Sequence, residues 1–260
     1  MLVVAHLSDL HLGAHEPAAV ASIAADVAAC RPSLTVVTGD CTMRARHREF
    51  RQVRRLLARL PRPLLVVPGN HDVPLVSPER LLRPYGRYES WIDVSPRPIA
   101  NVLGLTAMGL RSMPWWRWKS GFVSARQTQE VVRVLGGAPE GDVRVLALHH
   151  PPFATGAAAL VGRGRLARAL TEARVDVVLA GHTHVPEVQT VDGRPLVVIA
   201  GTATSLRIRN VPRSWSQLRI TADSIEVRER YASDDGTWYT GRVVRQSDGR
   251  RLRAGRRPQA

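Results

Sequence analysis

The sequence predicts a single α/β domain whose functional groups collect at one edge of its strands. Three observations carry that prediction. Short β-branched or Leu/Val runs alternate with helix-periodic segments. Five of those runs end in an acid, an amide or an imidazole. A chain of 260 residues with 44% hydrophobic content is also ample for a buried core.

In chain order, Leu2–Leu7 reads as a strand, and a polar loop separates it from an apolar-periodic helix over Ala18–Ala29. Leu34–Val37 is a short strand ending at Gly39-Asp40. Residues 46–60 place Phe50, Val53, Leu56, Leu57 and Leu60 at helical spacing with arginines between them. Leu64–Val67 is the next strand and runs into Pro68-Gly69-Asn70-His71-Asp72. A less regular region follows, with one helix expected near Pro78–Trp91. Strand 102–110, helix Ser124–Leu135, strand Val143–Leu148, helix 163–172 and strand Val175–Ala180 complete the alternation. From 186 to 231 the chain reads as consecutive strands, with Asp192-Gly193 as a hairpin turn. No Pro/Gly/Ser linker splits residues 1–231, so these are expected to form one domain. Residues 232–260 are expected to be an Arg-rich, largely disordered tail.

Charge and cysteine content narrow the function classes. The net charge of +15 suggests nucleic acid. However, seven arginines and one acid fall in the last twenty residues, and Lys119 is the only lysine. The positive charge is therefore partly a tail property, and a solvated surface explains the rest. No apolar run approaches the roughly 18 residues of a membrane span, and MLVVAHLSDLHLG does not read as a signal peptide. Cys30 and Cys41 form neither a CxxC pair nor a disulfide framework, so a cytoplasmic location is the default.

The polar residues at the strand ends carry the chemistry. Asp9-x-His11, Gly39-Asp40, Gly69-Asn70-His71-Asp72, His149-His150-Pro151-Pro152 and Gly181-His182-Thr183-His184 each follow a strand. In an open α/β sheet the carboxyl ends of the strands line one crevice. Two Asp, one Asn and several His form an oxygen/nitrogen donor set suited to Mn, Fe, Zn or Co. An extended backbone would turn Asp9 and His11, or His182 and His184, to the same side. Asp40, following a glycine, can approach closely and bridge two cations, which is the arrangement of a two-metal site. In the third loop Gly69 lets the chain bend, Asn70 offers a neutral oxygen and His71 is left as a proton donor. Asp72 is expected to orient the loop or His71.

Together, and in this order, the five motifs resemble the calcineurin-like metallophosphoesterase superfamily. The stretches LSDLHLG, VVPGNHDVP, LHHPP and GHTH are most similar to the bacterial class III cyclic-nucleotide phosphodiesterases. The resemblance implies a four-layer α-β-β-α sandwich and two divalent or trivalent metal ions (Mn²⁺, Fe²⁺/Fe³⁺, Zn²⁺ or Co²⁺). It assigns Asp9, His11, Asp40 and His184 to one ion, with Asp40 bridging to a second that Asn70, His149 and His182 complete. His149 is preferred to His150 as the ligand because the family's ligand lies two residues before the proline. His71 is the implied catalytic residue, and His11, Asn70, His71 and His184 the implied substrate-binding ones. A bridging hydroxide would attack phosphorus in line while His71 assists the leaving oxygen. Cys41 is expected to pack where relatives carry an aliphatic residue.

The expected substrate is a small phosphodiester such as a cyclic nucleotide. A nuclease or phosphomonoesterase on the same site ranks behind it, followed by a non-catalytic scaffold that keeps the fold. No membrane partner is expected; a homodimer is open through the Trp-rich loop or the terminal strands. His6 is read as a core residue and His47 as a helix-surface one, with His15 near the metal loop. The segment 110–121 holds three of the six tryptophans beside Arg111, Arg117 and Lys119. It is read as a surface loop packing on the sandwich or at a dimer contact, ahead of a lid that stacks a base.

Overall fold

The computed structural model describes residues 1–247 except 94, 96, 155, 157, 158 and 191–194. Two six-stranded sheets lie face to face. The first is built around the parallel strands β1 (Leu2–Leu7), β2 (Leu34–Thr38) and β3 (Leu64–Val67). It is extended on the other side of β1 by antiparallel β10 (Ser214–Ile220), β11 (Ser224–Ala232) and β12 (Trp238–Ser247). The second has parallel β5 (Leu105–Leu110), β6 (Val143–Leu148), β7 (Val177–Ala180) and β9 (Leu196–Ile199). Antiparallel β4 (Ile99–Val102) and β8 (Glu187–Thr190) form its edges.

Nearly continuous apolar strands follow from burial on both faces. Val4, Val36, Leu65 and Val67 of the first sheet share one core with Leu105, Val145, Val177 and Val198 of the second. The outer face of the first sheet is covered by α1 (Pro17–Ala29) and α2 (His47–Leu57) through Ile23, Val27, Phe50, Val53 and Leu56. The second is covered by α5 (Ala125–Gly136) and α6 (Arg163–Glu172) through Val131, Leu135, Leu166 and Leu170. The result is the four-layer α-β-β-α sandwich. Local signals agree with these boundaries. Pro17 opens α1, and Ser124 with Gln127 forms a capping box at α5.

Three elements differ from the sequence reading. The single helix near Pro78–Trp91 is two, α3 (Pro78–Leu82) and α4 (Gly86–Trp91), because Pro84 bars its predecessor Arg83 from helical backbone. The expected strand 102–110 is the β4–β5 hairpin, which turns at Gly104 with φ +82°. Residues 238–247, assigned to the disordered tail, form β12 instead. Its register on β11 is fixed by pairs such as Val227 with Val244, and Trp238 packs back toward α1 with a bond to Ser22 (2.9 Å). Residues 232–237, assigned to the same tail, end β11 at Ala232 and turn into β12, with Ser233 N–H on Thr237 O (2.8 Å). Residues 248–260 and the Asp192-Gly193 turn lie outside the described residues.

Candidate metal centre

Five loops bring the motif residues together where β1, β2 and β3 of one sheet meet β6 and β7 of the other. The Asp9–Leu12 loop runs beside the Gly39–Thr42 loop as a continuation of the β1–β2 pairing. Asp9 N–H donates to Gly39 O (3.0 Å), His11 N–H to Asp40 O (2.9 Å) and Leu12 N–H to Cys41 O (2.9 Å). Gly181 N–H donates to His149 O (3.0 Å), joining the loops after β7 and β6. The sheets are tied directly by His149, whose Nδ1 lies 2.7 Å from Thr38 O at the end of β2.

The extended-backbone reasoning for Asp9-x-His11 and His182-x-His184 is corrected here. Asp9 (φ 53°), His11 (48°), Asp40 (48°), His182 (74°) and His184 (63°) all adopt the left-handed conformation. This region is uncommon for non-glycine residues and clusters at functional sites. The glycines also act differently from the expected bend. Gly69 has φ −99°, which any residue can adopt. A Cβ there would stand 2.2 Å from Asp40 Oδ1 and 2.3 Å from Asp40 N, so close approach is what requires glycine.

Two donor groups result. In the first, His184 Nε2 lies 3.1 Å from both Asp9 Oδ1 and His11 Nε2, and His11 Nε2 lies 3.6 Å from Asp40 Oδ2. In the second, His149 Nε2 lies 3.1 Å from Asn70 Oδ1 and 3.4 Å from Asp40 Oδ2. His182 Nδ1 lies 3.1 Å from Asn70 Oδ1 and 3.2 Å from His149 Nε2. Asp40 therefore reaches both groups.

The tautomers show why these atoms fit cations. His184 Nδ1 donates to the Arg207 carbonyl (2.6 Å) and His149 Nδ1 to that of Thr38, so in the neutral ring each Nε2 presents a lone pair. Asp9 Oδ1 is buried without a hydrogen-bond donor among the described residues. Acceptors facing acceptors in a dry pocket call for a positive charge between them. The titration directions say the same for the metal-free protein. Burial lowers His149, but the Asp40 carboxylate and Asp9 outweigh it and push it up to about 9. Burial works against Asp9 ionising, but His184 and His11 hold it well below the usual carboxylate range.

The neighbours of this centre take distinct positions. His71 N–H donates to Asp40 Oδ1 (2.8 Å), its Nδ1 meets Met43 O (2.7 Å), and its ring lies edge-on to His11 with centroids 4.8 Å apart. Asp72 accepts from Cys41 N and Gly69 N (3.0 Å each) and from Thr42 N (2.8 Å) and Oγ1 (2.9 Å). It orients the loops rather than His71. His150 lies beside His149, but both its ring nitrogens are taken, one by Ser112 Oγ and the other by Lys119 O, each at 2.8 Å. Cys41 is buried in the core under α1 and α2. His6 is buried in β1 against Thr38, His47 bonds Trp91 on the helix surface, and His15 meets Gly13 N.

The Trp-rich loop departs from the reading that packs its tryptophans on the sandwich. Trp115, Trp116 and Trp118 are about half exposed, because the loop is held by its backbone. Buried Arg80 donates to the carbonyls of Trp115, Pro74 and Arg117 and stacks on Trp118. Sequence reasoning missed Ser8, whose hydroxyl bonds Asp9 Oδ2 (2.6 Å), and Arg207, whose Nη1 lies 3.1 Å from His71 Nε2. Ser8 adjoins a motif and could have been found; Arg207 stands in none.

Residues 2–186 match the family described as calcineurin-like phosphoesterase. The chain is 27% identical to a probable glycerophosphodiester phosphodiesterase of Arcobacter nitrofigilis, over 79% of this chain and 75% of that one. It is 26% identical to a probable cyclic nucleotide phosphodiesterase of Synechococcus, over 85% of this chain and 89% of that one. Among solved structures it superposes on a dimetal phosphatase from Danio rerio with TM-score 0.66 and 14% identity, covering 92% and 98% of the two chains. This shows a shared fold.

Proposed function

The chain belongs to the calcineurin-like phosphoesterase family and is a metal-dependent phosphoester hydrolase; within that class we propose that it hydrolyses small phosphodiesters, with 3',5'-cyclic nucleotides favoured. The observation that carries this reading is the convergence of seven donor residues into two groups that share Asp40, with His71 alongside. His150 clusters with His149 and His182 as well, but Ser112 and Lys119 hold its ring nitrogens. The preference for diesters is supported by relatives named for a glycerophosphodiester and for cyclic nucleotides.

In this reading Asp9, His11, Asp40 and His184 hold one ion, and Asp40, Asn70, His149 and His182 the other. Ions bound there supply charge neutralisation at the phosphoryl oxygens and an acidified water as nucleophile. The chain itself supplies orientation and a proton. Thr38 and Arg207 carbonyls fix the ligand imidazoles, and Ser8 steadies Asp9. His71 is held by its backbone N–H on Asp40 and by Nδ1 on Met43, which leaves Nε2 to serve the leaving oxygen. The test is a panel of bis(p-nitrophenyl) phosphate, cyclic AMP and p-nitrophenyl phosphate with added Mn²⁺, run beside elemental analysis. Turnover greatest on the diesters is expected. A metal-loaded protein that turns over none of them would remove the reading in favour of a scaffold.

A further inference from the structure

The loop between β9 and β10 carries Leu206, Arg207, Ile208 and Arg209 as exposed residues. Arg207 meets the centre twice. Its carbonyl accepts from His184 Nδ1 at 2.6 Å, and its Nη1 donates to His71 Nε2 at 3.1 Å. Since Met43 holds the other ring nitrogen of His71, the guanidinium covers the atom that faces the reacting group. No carboxylate among the described residues pairs with Arg207, whereas Arg213 in the same loop pairs with Glu16 at 3.6 Å.

The guanidinium is not needed to shape the loop. Thr202 and Thr204 hydroxyls bond Asp9 O (2.7 Å) and Leu10 O (2.6 Å), and Leu206 N–H bonds Ala14 O (3.0 Å). Arg207 N–H bonds Ser205 Oγ (2.9 Å). An exposed guanidinium donating to a neutral ring nitrogen holds a weak acceptor. A phosphate oxygen is a far better one, because the bond is charge-assisted and the planar fork matches two oxygens.

We infer that Arg207 is a substrate-binding residue whose guanidinium leaves His71 for a non-bridging oxygen of the phosphodiester anion, holding the phosphoryl group at the metal centre and uncovering His71 Nε2, which then takes from solvent the proton that it gives to the leaving oxygen. The inference rests on the phosphodiesterase reading, so its test includes a readout without turnover. Metal-loaded wild type, Arg207→Gln, Arg207→Lys and Arg209→Gln are compared for metal content, for inorganic phosphate affinity by calorimetry, and for KM and kcat on bis(p-nitrophenyl) phosphate. Each variant keeps the backbone carbonyl that holds His184, so full metal content is expected. Arg207→Gln should weaken phosphate binding and raise KM by roughly 10- to 100-fold, the size of one hydrogen bond to a charged group. Arg207→Lys should show a smaller loss and Arg209→Gln none. Unchanged phosphate affinity in Arg207→Gln overturns the inference, and so does loss of metal from that variant. A wild type that binds phosphate through Arg207 yet turns over no ester keeps this inference and removes the phosphodiesterase reading.

Discussion

Asp72 accepts both the backbone N–H and the hydroxyl of Thr42, at 2.8 and 2.9 Å, and so fastens the loop after β3 to the loop after β2. Its other oxygen takes the N–H groups of Cys41 and Gly69, all in a fully buried setting. Burial and the nearby Asp40 charge push this carboxyl up to about 6, and those donors pull against that rise. Asp72→Ala would leave three buried N–H groups without a partner. It should cost about 3 kcal/mol of stability and reduce metal content, with Asp72→Asn milder. Urea denaturation with metal analysis checks this; wild-type stability with full metal in Asp72→Ala would refute it.

Gly69→Ala should be damaging for a reason unrelated to glycine's flexibility. The added carbon would stand 2.3 Å from the backbone nitrogen of Asp40, which cannot rotate away. The expected result is displaced Asp40 and loss of both metal and activity. Gly164, in α6, meets nothing within 4 Å. Gly164 lies in the first turn, so Gly164→Ala should leave the fold intact or stabilise it by up to about 0.5 kcal/mol and leave metal content unchanged. Equal behaviour of the two variants would contradict the close-approach account.

Helical spacing and short apolar runs made most of the fold legible in the sequence, since Phe50 and Val53 in α2 face the core that their spacing indicates, and Val36 and Leu65 belong to runs buried on both faces as strands. The donor residues were legible because each ends a strand. Left-handed backbone at Asp9 and His182 was not, because side-chain identity does not report it. The carbonyls of Thr38, Met43 and Arg207 left no trace, as any residue supplies one. β12 was hidden because Arg242 and Arg245 on an exposed edge strand resemble a solvated tail.

His149 and His150 are adjacent but should not be interchangeable. His149→Ala removes a ring whose Nε2 faces Asn70 and Asp40, whereas His150 spends both nitrogens on Ser112 and Lys119. His149→Ala should lose about one ion per chain. His150→Ala should retain metal while losing about 1–3 kcal/mol, because Ser112 and the Trp-rich loop lose a buried partner. Metal retained by the first variant and lost by the second would reverse the assignment.

The metal-free protein should be pH-sensitive on the alkaline side. With His149 pushed up to about 9 from an ordinary 6.5, the folded chain binds that proton more tightly than the unfolded one. The contribution is complete below about pH 6.5 and disappears as pH rises through 9. Asp40, held below the usual carboxylate range, adds stability that disappears only on acidification. Denaturation with chelator present should therefore show falling stability between pH 6.5 and 9, and His149→Gln should flatten that fall. Stability that climbs over this interval would contradict the burial of His149 against Asp40.

Asn70 and His71 are neighbours in the chain, yet their loss should separate binding from chemistry. Asn70 Oδ1 sits 3.1 Å from both His149 Nε2 and His182 Nδ1, inside the second donor group. Asn70→Ala should therefore lose metal affinity and activity together. His71 contributes to that group only through its backbone N–H on Asp40, which an alanine preserves. His71→Ala should keep its metal and its fold while kcat on bis(p-nitrophenyl) phosphate falls by roughly 10²–10⁴, the range for a positioned proton donor. A leaving group as acidic as p-nitrophenol needs little protonation, so cyclic AMP should suffer more than bis(p-nitrophenyl) phosphate. Equal losses on both substrates would mean that His71 stabilises charge on phosphorus instead of protonating the leaving oxygen. An active His71→Ala would remove it from the chemistry altogether.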